Sequence, residues 1–110
     1  MTAAQLDRTF SALSDPTRRA ILQRLSKGDA TPSELAALFP VSIQAVSKHL
    51  KVLEQAGLIT RGQRAQLRPA HLDGAPLKEA ADWIGRYRPF WERRFRRIDS
   101  RLARAKGHRA

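Results

Sequence analysis

The sequence predicts a mainly α fold: a helix-turn-helix pair, then a two-stranded β-hairpin, then a long C-terminal helix. Three observations carry that prediction. Apolar residues recur at three- and four-residue intervals through most of the chain, the spacing of one helix face. Asp15, Thr31 and Ser42 each stand immediately before such a stripe, where a short oxygen-bearing side chain caps a helix. Between Thr31 and Gly57 a helix of about two turns, a turn and a helix of about four turns follow in sequence, the proportions of a helix-turn-helix.

Taken in order, Leu6, Phe10 and Leu13 mark an amphipathic helix over about residues 3–14. Asp15-Pro16 caps the next helix, with proline at the first helical position, where its missing N–H is not needed. Ile21, Leu22 and Leu25 form its inner face and Gly28 stops it. Thr31-Pro32-Ser33-Glu34 is a capping box opening a short third helix with Leu35, Leu38 and Phe39 inward. Pro40 closes that helix, because the residue before a proline is pushed out of the helical region. From Ser42, Val46, Leu50 and Leu53 stripe a fourth helix that ends at Gly57. Residues 58–61 and 65–68 read as two short strands around Gly62-Gln63-Arg64, with Pro69 limiting the second.

From Leu77 onward the seam positions are 77, 81, 84, 88, 91, 95, 98 and 102, steps alternating between four and three. Arg88 is the one charged residue among them. This is the narrow seam of a coiled coil, and a helix of about 76–105 is too long to bury it within its own small domain. The seam therefore predicts pairing with a second copy. Pro89 predicts a kink or break.

At 110 residues the chain has room for one domain with a modest core. The helix-turn-helix is expected over about 32–56, the hairpin over about 58–69 and the pairing helix over about 76–105. No apolar run is long enough for a membrane span, and the first residues lack the order of a secretory signal. The expected compartment is the cytoplasm. With no cysteine there is no disulfide, thiolate metal site or cysteine nucleophile.

A net charge of +11 favours polyanionic partners. Most of it is C-terminal: from Arg86 to Ala110 there are ten Lys/Arg against Glu92 and Asp99. The fourth helix carries only Lys48 and Lys51 against Glu54, so its chemistry is selective rather than bulk-electrostatic. Opposite its apolar stripe lie Gln44, Ser47, Lys48 and Lys51, side chains able to bond base edges or phosphates in a DNA major groove. The helix N-terminus at Ser42 suits a phosphate, and Ile43 either meets a thymine methyl or packs inward. On polarity alone the same pattern also describes a solvated helix face.

Residues 10–59 resemble the ArsR-type winged helix-turn-helix repressors. The likeness is carried by LSDPTRRAIL (13–22) and by VSKHLKVLEQAGLI (46–59). It extends through AADWIGRYRPFWERR (80–94), similar to the metal-independent subgroup related to the SdpR autorepressor. The resemblance implies a bacterial repressor that binds double-stranded DNA as a homodimer at an inverted repeat, associated with the nucleoid when bound. It implies that Ile43, Gln44, Ser47, Lys48 and His49 face the groove, while Arg61 and Arg64 of the β-wing touch the backbone or minor groove. It further implies a dimer formed by the first and last helices, through Leu6, Phe10, Leu77, Ile84, Trp91, Phe95, Ile98 and Leu102.

Many such proteins sense metals through a cysteine pair on the third helix or an Asp/His set on the last. Here Glu34-Leu35-Ala36-Ala37 offers no thiol, and His49, His71 and His108 are scattered. His71-Leu72-Asp73 supplies two ligands, too few for a zinc site. No metal and no cofactor is expected, and no nucleophile–base pair or phosphate-cradling loop points to an enzyme. Trp83, Tyr87, Phe90 and Trp91 read as packing residues rather than a ligand pocket, and the sequence identifies no small-molecule effector. The competing reading is a basic amphipathic C-terminal helix bound to an anionic membrane or an acidic protein. Its narrow seam argues against a membrane, which wants a broad apolar face.

Overall fold

The computed structural model describes residues 1–63 and 67–107. The chain divides into two compact units, 1–80 and 81–110.

Helices α1 (Ala3–Leu13), α2 (Pro16–Leu25), α3 (Pro32–Leu38) and α4 (Ile43–Gln55) start where the caps place them. Thr2, Asp15, Thr31 and Ser42 each accept a hydrogen bond from the backbone N–H three residues on. Thr2 and Thr31 complete reciprocal capping boxes with Gln5 and Glu34. The ends are equally local. Phe39, before Pro40, is extended at φ −123°, and Gly57 takes the left-handed φ of +74° that closes a helix cheaply only with glycine.

The core of the first unit gathers Ala12, Ile21, Leu22, Leu25, Leu35, Val46, Leu50, Leu53, Leu58 and Ile59, all buried. Leu38, expected inward, is 57 % exposed. The helix ends at Leu38, and inward packing passes instead to Leu35 and Phe39. Leu77, expected in the pairing seam, packs against this same core.

The hairpin is antiparallel, β1 (Ile59–Arg61) with β2 (Ala70–Leu72), in the register Ile59↔Leu72, Thr60↔His71 and Arg61↔Ala70. The strand that pairs with β1 thus lies beyond Pro69 and outruns the expected boundary at 69, and of the expected span 65–68 the two described residues, Leu67 and Arg68, are not part of it. Pro69 has no N–H to donate, but its carbonyl accepts from Gly62 N at 2.8 Å, so it joins the strand as the residue before it. Ala70 also exchanges two backbone bonds with Ala30, at 2.7 and 3.2 Å. That bridge ties β2 to the α2–α3 connection. Residues 64–66, and with them Arg64, lie outside the described residues.

The single helix expected over about 76–105 is two: α5 (Ala75–Gly85) and α6 (Arg88–Gly107), separated by Arg86 and Tyr87. Pro89 sits in the first turn of α6, where its missing N–H leaves no intrahelical bond unmade.

Candidate nucleic-acid interface

Helix α4 follows α3 after a short turn and is held by three fully buried side chains, Val46, Leu50 and Leu53. Burying that stripe turns the opposite side out. Gln44, Ser47, Lys48 and Lys51 are all exposed, as are Ser42 and Ile43 at the first turn. Ser42 Oγ accepts from Ala45 N at 3.1 Å, leaving the N–H groups of the two preceding positions outside the cap. Ile43 is 50 % exposed, so of its two expected placements the outward one is taken. The result is one contiguous edge with an amide, a hydroxyl, two ammonium groups and an apolar tip.

His49 departs from the expected groove-facing set. Its side chain is largely covered, with Nδ1 3.4 Å from Arg18 Nη1 and 3.9 Å from Asp15 Oδ2. One residue past Lys48, it is rotated toward the start of α2, where two polar partners from distant sequence receive it. Asp15 is itself committed as the α2 cap, accepting from Arg18 N at 3.0 Å. That backbone bond, helped by the His49 and Arg18 charges, holds its carboxyl below the ordinary aspartate range.

Arg18 is the residue that sequence reading missed. Its Nε donates to Ala12 O at 2.8 Å and its Nη2 to Ser11 O at 3.1 Å, while Nη1 meets His49. The neighbouring Arg19 Nη1 donates to Leu13 O at 2.7 Å. The two arginines therefore cap the last carbonyls of α1 from α2, and Arg18 also touches α4 through His49. A signal existed. Pro16 stands four residues after Ala12 and has no N–H, so the Ala12 carbonyl needs a donor from elsewhere.

In the wing, Arg61 is half-buried, and its Nε and Nη2 donate to Arg68 O at 3.0 and 2.9 Å. Burial, with the Arg68 charge adding, pulls its guanidinium below the ordinary arginine range. Its fork braces the two limbs of the hairpin. Opposite, His71 Nδ1 lies 2.7 Å from Asp29 Oδ1, a second tie between β2 and the α2–α3 connection. Among the described residues no three His, Cys, Asp or Glu side chains come together as a metal site, and no helix is long and apolar enough to cross a membrane.

In the second unit, Phe95, Ile98 and Leu102 are exposed along α6 and Trp91 is half-buried. Ile84 of α5 is exposed too, as is Phe10 of α1, while Leu6 is half-buried. Trp83 and Tyr87 meet edge to face at 5.4 Å, and Arg94 lies over the Phe90 ring at 5.6 Å.

Comparison with known proteins agrees with this geometry. A family model described as a helix-turn-helix domain matches residues 13–62. The transcriptional repressor SdpR of Bacillus subtilis (strain 168) is 35 % identical over 79 residues, which cover 72 % of this chain and 88 % of SdpR. The HTH-type transcriptional regulator Rv2034 of Mycobacterium tuberculosis (strain ATCC 25618 / H37Rv) is 42 % identical over 87 residues, 79 % of this chain and 78 % of that protein. Among solved structures, an ArsR-like transcriptional regulator from Rhodococcus sp. RHA1 matches with a TM-score of 0.70 at 37 % identity, covering 88 % of this chain and 92 % of that one. The chain belongs to the ArsR-type winged helix-turn-helix repressors, DNA-binding transcription regulators rather than enzymes.

Proposed function

We propose that the protein acts as a homodimeric repressor occupying an inverted-repeat operator, and that it is nucleoid-associated when bound. The observation that carries this reading is the division of α4: three side chains fully buried on one side, and Gln44, Ser47, Lys48 and Lys51 exposed on the other. Gln44 is the base reader, because its amide can bond an adenine edge at two points. Ser47, Lys48 and Lys51 bond bases or phosphates, Ser42 sits where the helix dipole favours a phosphate, and Ile43 contacts a thymine methyl. Arg61 and Arg64 of the wing add backbone or minor-groove contact, with Arg61 held by its bond to Arg68 O. His49 is reassigned as a support of α4.

Pairing is supported by the apolar residues that α6 leaves uncovered. Phe95, Ile98 and Leu102, with Trp91, continue the seam, and an exposed apolar row of this kind marks an association surface. Ile84, Leu6 and Phe10 belong to the same proposed interface. A two-fold pair of α4 helices reads half-sites about 34 Å apart, one turn of DNA. A relative of this chain bears the name transcriptional repressor, which supports repression as the outcome.

In vitro selection of DNA sites by the purified protein, with and without added zinc, tests the reading. The expected result is an enriched pair of inverted half-sites about one turn apart, unchanged by zinc. Enrichment of no site, or of an unsymmetric one, refutes it.

A further inference from the structure

Helix α6 has a second face that pairing does not use. At about 100° per residue, Trp91, Phe95, Ile98 and Leu102 fall within a wedge of about 60°. Arg93, Arg97, Ser100 and Arg104 fall within another wedge of about 60°, roughly opposite, with Arg101 at its margin. These residues line one shallow concave surface together with Arg96. Both acidic residues of the helix lie off this face, and Glu92 engages Arg88 and Arg96, each at 3.8 Å. Arg94 is occupied over the Phe90 ring. Among the described residues, Arg93, Arg97, Arg101 and Arg104 have no ion-pair partner.

We infer that this arginine stripe is a second DNA contact, gripping the phosphate backbone independently of sequence while α4 selects the site. The inference rests on the DNA-binding reading above. Arg93 and Arg104 are eleven residues apart. That is roughly 16 Å of helix at about 1.5 Å per residue. A DNA strand offers a phosphate about every 3.4 Å of axis, so the stripe spans about five phosphates of one strand. Guanidinium suits phosphate through paired N–H donors, and every cation of the stripe is an arginine. A lipid surface fits less well. The apolar wedge is narrower than the face of about 100° or more that ordinary surface helices bury, and it already has a use in pairing.

The test compares three full-length proteins by fluorescence anisotropy over a salt series, on the selected operator and on a non-operator duplex. One is the wild type. The second is Arg93→Gln/Arg97→Gln/Arg104→Gln. The third is Lys27→Gln/Arg86→Gln/Arg94→Gln, which removes the same charge off the stripe and off the pairing seam. Each phosphate that goes unneutralised makes the log–log salt slope shallower by about 0.9, so six arginines in a dimer account for up to about 5. A stripe variant shallower by at least about 2, with non-operator affinity down about tenfold or more and the off-stripe variant near wild type, supports the inference. Equal slopes in the two variants overturn it, since net charge alone then explains the effect. So does a stripe variant indistinguishable from wild type, or vesicles of phosphatidylserine and phosphatidylcholine displacing the protein from DNA. An Arg→Lys triple at the same three positions must keep most of the slope; if its slope collapses while it remains folded by circular dichroism, phosphate binding by the stripe is refuted. A wild type that binds no DNA in a salt-dependent way defeats the DNA-binding reading itself, a different result from a wild type that binds and a stripe variant that matches it.

Discussion

Replacing Arg18 with methionine tests what holds the α1–α2 joint together. Methionine keeps an apolar stem of similar reach and removes every donor. The Ala12 carbonyl then loses its bond from Arg18 Nε, and Pro16, four residues on, has no N–H to replace it. Ala12 is fully buried, so water does not reach the orphaned oxygen. An unsatisfied buried acceptor costs about 1–3 kcal/mol. Ser11 O suffers less, because Ser14 N and Ser14 Oγ already donate to it at 3.2 and 2.6 Å. The Ser11 and His49 interactions of Arg18 add a smaller, solvent-screened amount. The expected destabilisation is therefore about 2–3 kcal/mol. With a urea m-value of about 1–2 kcal/mol per molar, the unfolding midpoint falls by about 1–3 M. Urea unfolding followed by circular dichroism at one fixed protein concentration reads this, since a dimer's stability depends on concentration. Arg19→Met is the internal comparison. Arg19 is exposed and makes a single bond to Leu13 O, and its removal costs about 0.5–1 kcal/mol. If the two variants unfold at the same midpoint, or Arg18→Met lies within about 0.5 kcal/mol of wild type, the Ala12 carbonyl is not what Arg18 satisfies.

Gln44→Ala is expected to lose about 1–3 kcal/mol of discrimination at one base pair, with non-specific affinity largely kept; competition binding against single-base operator variants measures it. Because Asp15's carboxyl titrates lower in the folded protein, its stabilisation is present above the unfolded aspartate value, about 3.9, and is lost as pH falls through the lower folded value. Asp15→Asn, which still caps a helix, should therefore flatten the fall of Tm as pH drops below about 4, and an unchanged acid limb would count against that linkage. Trp91→Ala with Leu102→Ala should shift sedimentation equilibrium toward monomer and weaken operator binding in step. A dimer that persists removes the seam from the interface.

The helical frame was legible because its punctuation is local. A cap, a proline or a glycine acts within about four residues, so Asp15-Pro16, Thr31-Pro32, Phe39-Pro40 and Gly57 could be placed without knowing the rest of the chain. The outer edge of α4 was legible for a related reason, since the face opposite a buried stripe follows from helix periodicity alone. What sequence reading missed was set by partners far along the chain. Strand β2 begins at Ala70 because Ala30, forty positions earlier, completes its pairing. Leu67 is exposed, and Arg68 has a positive φ of 31° that does not continue a strand. His49 is largely covered because Asp15 and Arg18, at the start of α2, receive it. Leu77 fits the heptad count, yet the nearer core claims it.

The self-contained caps have a consequence for how this kind of reader changes over generations. Ser42 fixes the first residue of α4 by a bond that closes within three residues and asks nothing of the surrounding core. The direction in which α4 points depends on Val46, Leu50 and Leu53 and on what they pack against. Where the reading helix starts and how it is aimed are therefore set by separate groups of residues. Substitutions in the core can tilt the helix, and so alter how deeply each side chain enters a groove, without sliding a different residue into the place of Gln44. Under the proposed function, specificity is then free to drift by angle while the alphabet of reading positions stays the same.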